Sequence, residues 1–351
     1  MRNKILTFIA ILCFLGLAAA VYAFTPVEIP SVAAQKIETY TRNKPAAEIS
    51  IAIITDNGTF YSAYSRDGKL SELPDTEYEI GPVSKTFLGA FLAKEALDGK
   101  ISLTDRIGSV LPIQQWSYNP MIIDLATHTS AYGSYEPAKF SNLKYSFGKN
   151  PYTGITAYNM ITEMDDFRLT QQGPFPLSYS DFGVTILGMA LAEINGKDYV
   201  TLMTDYIQNT LGLTHTYFAL DHPVRHGWKW SAGDAYIATA GLTSNLYDMA
   251  EYAKMYLGTT RAEMIESTRP LCYVDENLSV GYLWGLTGNG SIVAHTGETA
   301  HYASQVLIDK EHRVAVVVLS NYCNDRYGNV ADIAQAILDE TNSIPLQTNA
   351  A

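Results

Sequence analysis

At 351 residues the chain is long enough for one large domain or two small ones. Apolar residues make up 47% and charged residues 17%, which excludes a disordered chain and implies a sizeable core. The formal charge of −12, with no basic run, excludes nucleic acid or an anionic lipid surface as the main partner.

Arg2 and Lys4 precede an apolar run from Ile5 to Val21, and Val21-Tyr22-Ala23 offers signal peptidase a small-residue cut after Ala23. Residues 1–23 therefore read as a signal peptide, and an uncleaved anchor over residues 5–21 is the alternative. Either places the remainder, 24–351, outside the cytoplasm, with membrane contact only through that segment. Export would leave Cys272 and Cys323, which the sequence does not bring together. A helix is predicted over Val32–Tyr40, then strands Ile49–Thr55 and Thr59–Ser65 around Asp56-Asn57-Gly58, a strong hairpin signal. The run from Leu88 to Leu97 has helical spacing and stops at Asp98-Gly99. The centre is mainly helical with long loops. Asn245–Leu257 reads as an amphipathic helix, and Gly281-Tyr282-Leu283-Trp284-Gly285 is expected to begin a C-terminal sheet. Gln305–Ile308 and Val314–Ser320 follow as its last strands, with Asn329–Thr341 as a terminal helix across it.

The most informative stretch is Tyr78-Glu79-Ile80-Gly81-Pro82-Val83-Ser84-Lys85-Thr86-Phe87. It resembles the first active-site motif, Gly-Ser-x-x-Lys-Thr, of the serine β-lactamase and penicillin-binding-protein superfamily. The nearest branch is that of class C β-lactamases, D-alanyl-D-alanine peptidases and esterases. Leu177-Ser178-Tyr179-Ser180-Asp181 resembles its second motif, Tyr-x-Asn, and His295-Thr296-Gly297 its third, Lys/His-Thr-Gly. Asp124-Leu125-Ala126-Thr127-His128-Thr129-Ser130 and Ala238-Thr239-Ala240-Gly241-Leu242-Thr243-Ser244 resemble flanking segments, with His128 in a packing role. The resemblance implies an α/β (α+β) fold: an antiparallel sheet flanked by helices, from about 24–75 and 236–351, and a mainly helical part over about 76–235.

Lys85, Tyr179 and His295 are the implied catalytic residues, and Asp181, Thr296, Gly297 and Glu298 the implied substrate contacts. The Glu298 N–H is the implied second oxyanion donor. Two decisive positions depart from the pattern. Pro82 stands where the nucleophilic serine belongs and supplies neither a hydroxyl nor an N–H for the oxyanion hole. Proline suits the first turn of a helix, so the fold is expected to tolerate it. Asp181 replaces the asparagine, and an ionised carboxylate only accepts hydrogen bonds; it is expected to set negative charge against ligands that usually carry a carboxylate. Ser84 lies roughly 200° around the helix from Pro82 and is expected to face away from the groove.

The leading expectation is a pseudoenzyme that binds a peptide, a peptidoglycan fragment, a β-lactam-like small molecule or a protein partner in the retained groove. The first alternative is an active serine hydrolase with displaced chemistry, using Ser84, Ser180 or a water activated by Tyr179 and Lys85. The second is a sequence error at position 82. The seven histidines are scattered, with no His-x-x-x-His or Cys-x-x-Cys pair, so neither metal nor cofactor is expected.

Overall fold

This computed structural model describes residue 29 and residues 31–73, 76–113, 118–133, 148–166, 169–220, 223–323 and 329–343. The segment 1–23, read above as a signal peptide or anchor, lies outside the described residues.

The chain opens with helix α1 (Ser31–Thr41) and the hairpin β1 (Ile49–Thr55) and β2 (Gly58–Ser65). Thr55 pairs with Gly58 across the two-residue turn Asp56-Asn57. After β3 (Lys69–Ser71) and β4 (Tyr78–Glu79), a 3₁₀ turn over Gly81–Val83 feeds α2 (Ser84–Leu97). Pro82 thus occupies the lead-in turn, where its missing N–H costs no helical bond. The central region carries α3 (Ile122–Ala126), α4 (Ala157–Asp166), α5 (Asp181–Asn195), α6 (Tyr199–Thr204), β5 (Tyr217–Phe218) and α7 (Ile237–Ala240). Then come β6 (Leu242–Ser244), α8 (Leu246–Lys254) and α9 (Ala262–Ser267). The chain closes with β7 (Cys272–Tyr273), β8 (Ser279–Val280), β9 (Gly285–Thr287), β10 (Ile292–Glu298), β11 (Ala303–Asp309), β12 (Val314–Ser320) and α10 (Val330–Ser343).

A nine-stranded antiparallel sheet runs in the order β3-β2-β1-β12-β11-β10-β9-β8-β7, so the first and last strands of the chain lie side by side in its interior. Both faces of that pair are covered. Ile49, Ile51 and Ile53 of β1, with Val314, Val316 and Val318 of β12, pack against α1 and α10. Alternate residues Ala52, Ile54, Ala315, Val317 and Leu319 join the larger core under α2 and α8. This two-sided burial explains why these strands are continuous apolar runs rather than alternating ones.

One expectation needs correction. The C-terminal sheet begins at Cys272, not at Gly281, and Gly281–Trp284 is the turn between β8 and β9, with Leu283 at φ +63°. A second sheet, β4-β6-β5, ties the chain just before α2 to the helical part. The turn at Gly281–Trp284 packs hard on α2: a Cβ on Gly89 would lie 2.0 Å from the Tyr282 carbonyl oxygen.

Candidate functional site

The start of α2, the segment before α5 and the strand β10 meet in one place. Gly81, at φ +50° where L side chains rarely sit, leaves only a tight space for a Cβ, which would lie 3.1 Å from the Glu298 nitrogen. Gly297 is more constrained still: its Cβ would be 2.1 Å from the Ile80 carbonyl oxygen. That carbonyl accepts a hydrogen bond from Ser304 Oγ at 2.8 Å, which fixes β11 and β10 to the turn holding Pro82. Glycine at 81 and 297 is therefore what lets the end of β10 lie against the start of α2.

Lys85, the second residue of α2, is completely buried. Its Nζ lies 2.8 Å from Asp181 Oδ1, donates to the Thr239 carbonyl at 3.0 Å, and sits 5.0 Å from the Tyr179 ring centre. Burial alone would lower its pKa, but the Asp181 carboxylate and Tyr179 outweigh it and raise it, so Lys85 remains an ammonium. Asp181 is held on its other oxygen by Tyr152, whose hydroxyl donates to Oδ2 at 2.6 Å. The negative charge expected to face a ligand is instead neutralised by Lys85.

Tyr179 is 44% exposed, against His128 on one side at 4.6 Å and His295 at 6.5 Å between ring centres. Burial, with the Lys85 charge adding to it, depresses His128 to about 3 and His295 to about 4, so both are neutral imidazoles near pH 7. The hydrogen bonds assign their tautomers. His128 Nδ1 accepts from the Ser180 N–H at 3.1 Å, which leaves its proton on Nε2. His295 Nδ1 lies 2.8 Å from the Thr296 carbonyl, which can only accept, so Nδ1 carries the proton and Nε2 is bare. Thr296 Oγ1 donates to Gln305 Oε1 at 2.5 Å.

The two alternative serines are both committed. Ser84 is buried, and its Oγ accepts from the Leu242 N–H at 3.2 Å. Ser180 caps α5: its Oγ accepts from Gly183 N–H and donates to the Gly133 carbonyl, each at 2.8 Å. The structure thus gathers Pro82, Lys85, Tyr179, Asp181, His295, Thr296, Gly297 and Glu298. It adds the Thr239 carbonyl, from the flanking segment Ala238–Ser244, and Tyr152, which no sequence signal marked. Tyr152 sits in a loop without periodicity, stacked on Tyr236 with ring centres 4.5 Å apart, and only the folded chain brings it to Asp181.

A family model described as Beta-lactamase matches residues 33–339. A beta-lactamase of Providencia stuartii is 23% identical over 86% of this chain and 88% of its own. The Staphylococcus aureus protein flp is 22% identical over 84% of this chain and 67% of its own. Among solved structures, the octameric penicillin-binding protein homologue of Pyrococcus abyssi superposes with a TM-score of 0.71 at 21% identity, covering 89% of this chain and 76% of that one. A beta-lactamase/D-alanine carboxypeptidase of Yersinia pestis, complexed with citrate, gives 0.69 at 18% identity, covering 88% of this chain and 98% of that one. With the matched model spanning most of its length and the three motif segments gathered at one site, this chain belongs to the beta-lactamase family, within the superfamily of serine beta-lactamases and penicillin-binding proteins.

Proposed function

We propose that this chain is a non-hydrolytic member of its family, which binds a cell-wall peptide, a peptidoglycan fragment or a β-lactam-like molecule without forming an acyl-enzyme. The observation that carries this reading is Pro82. At the position that the motif gives to the nucleophile, the side chain has no hydroxyl and the backbone no N–H. An acyl transfer would lose its attacking oxygen together with one of two oxyanion donors, and the donor alone is worth about a hundred- to a thousand-fold in rate. The state of Lys85 supports the same reading. A general base must be able to take a proton, and this amine is paired with Asp181 at 2.8 Å and held protonated. Ser84 and Ser180 offer no easy substitute, because their hydroxyls bond the backbone at Leu242, Gly133 and Gly183.

Labelling with a fluorescent penicillin tests the proposal. The wild-type chain should give no covalent adduct. Pro82→Ser should restore weak labelling, and adding Asp181→Asn should increase it. Wild-type labelling that disappears in Ser84→Ala or in Ser180→Ala would show a displaced nucleophile, and the proposal would fall.

A further inference from the structure

Beside Tyr179 and His295 the groove widens into a cleft of about 420 Å³, within the range of small-molecule sites. One wall is apolar: Leu177, Leu278, Val280, Leu283, Trp284 and Ala294. The polar groups on the other side are His128, Tyr179, His295 and Thr296. Among the described residues lining the cleft there is no lysine, arginine, aspartate or glutamate. The nearest cation behind Tyr179, Lys85, is fully buried and already bound to Asp181 and to the Thr239 carbonyl.

The hydrogen-bond inventory is specific. His128 spends Nδ1 on Ser180 and keeps an Nε2–H donor; His295 spends its Nδ1–H on Thr296 and keeps a bare Nε2 acceptor. The Thr296 hydroxyl proton is committed to Gln305. A carboxylate entering this cleft would give up its hydration without meeting a positive charge. An uncharged group would bury apolar surface against the Leu177–Ala294 wall and could both donate to His295 and accept from His128.

We infer that the cleft selects an uncharged ligand with an apolar body and an amide-like head, and discriminates against its carboxylate counterpart. This deepens the binding reading above and rests on it: it names the chemical class the groove takes next to His295. It also departs from the expectation that the ligand carries a carboxylate.

A matched pair of probes isolates the charge: N-acetyl-phenylalanine amide and N-acetyl-phenylalanine, titrated into the full chain at pH 7.5 by calorimetry. The amide should bind about ten-fold tighter or better, because the acid must shed its hydration uncompensated. His295→Lys places a cation at the cleft and should move the ratio toward the acid by about ten-fold. Leu278→Arg, at the half-buried rim, should move it the same way and serves if the first variant does not fold. Equal or tighter binding of the acid to wild type overturns the inference. So does the absence of amide binding at millimolar concentration, or a ratio unchanged in both variants. A covalent penicillin adduct on wild type would instead sink the non-hydrolytic reading and leave the measured ratio to judge the cleft.

Discussion

Replacing Asp181 by asparagine probes the charge balance on which the site depends. The two side chains have nearly the same shape, and the Tyr152 hydroxyl can still donate to an amide oxygen, so the change removes charge and little else. Lys85, with none of its surface exposed, would keep the Thr239 carbonyl at 3.0 Å and lose the carboxylate at 2.8 Å. Breaking a buried ion pair by removing one partner costs about 3–5 kcal/mol, a large share of the roughly 5–15 kcal/mol that holds a domain folded.

The pH dependence separates this from a simple packing loss. In wild type the Lys85 pKa is raised above 10.5, so its stabilising contribution is complete below that value and is lost only as pH climbs through the folded pKa. In Asp181→Asn burial is no longer outweighed, and the folded pKa drops below the unfolded one. The unfolded chain then binds more protons, so stability rises with pH until the lysine is neutral in both states. Urea unfolding followed by circular dichroism should show a deficit of about 3–5 kcal/mol at pH 7 that shrinks toward pH 10. A loss below about 1 kcal/mol, flat in pH, would refute the view that Asp181 holds Lys85 charged.

Glu79 gives a second pH signature. Burial raises its pKa to about 7, against hydrogen bonds from the Thr299 hydroxyl and the Trp228 N–H that only partly offset it. A carboxyl raised in this way stabilises the fold below the unfolded value of 4.5 and loses that contribution as pH rises through about 7. Glu79→Gln, neutral at every pH and with one oxygen left to accept from the Trp228 N–H, should gain about 3 kcal/mol relative to wild type between pH 4 and pH 8; a difference flat in pH would refute this. Gly89→Ala pits about 1 kcal/mol of helix propensity against a Cβ placed 2.0 Å from the Tyr282 carbonyl oxygen. Backbone cannot yield as a side-chain tip can, so a net loss of about 1–3 kcal/mol or more is expected, and a raised melting temperature would count against the packing described.

What the sequence made legible follows the strength of its periodic signals. The β1–β2 hairpin and β12 coincide with their apolar runs because both faces of the sheet interior are buried. The paired strands β4, β5 and β6 have two or three residues each, too short for any period to register. Gly281–Trp284 looked like a strand because it is aromatic and apolar, yet those side chains fill the core from a turn. The motif residues were readable as types in order. What Asp181 does was not, because its partner Lys85 lies 96 positions earlier and its other partner, Tyr152, carries no motif at all. A carboxylate considered alone suggests repulsion of an anionic ligand; placed 2.8 Å from a buried ammonium, it cancels a charge instead.

That cancellation links the two departures from the family pattern into one chemical change. A lysine beside a serine is useful when it can lose its proton to accept another, which requires that nothing nearby fix it as a cation. With proline at position 82 there is no hydroxyl to deprotonate, and a buried amine is then better served by a counter-ion. Asp181 supplies one, and Tyr152 fixes that carboxylate in place. The order of rescue follows. Serine alone at position 82 restores an attacking oxygen and an oxyanion N–H, but leaves Lys85 protonated beside it. Asparagine alone frees Lys85 and leaves it nothing to deprotonate, so Asp181→Asn without Pro82→Ser should stay silent to penicillin. The combined variant should label more than the two single variants together, since the restored serine lacks a base until Lys85 is freed and the freed Lys85 has no serine to deprotonate. Labelling by the two changes that is merely additive would mean that positions 82 and 181 act independently, and that the ion pair is no part of the proposed loss of acyl transfer.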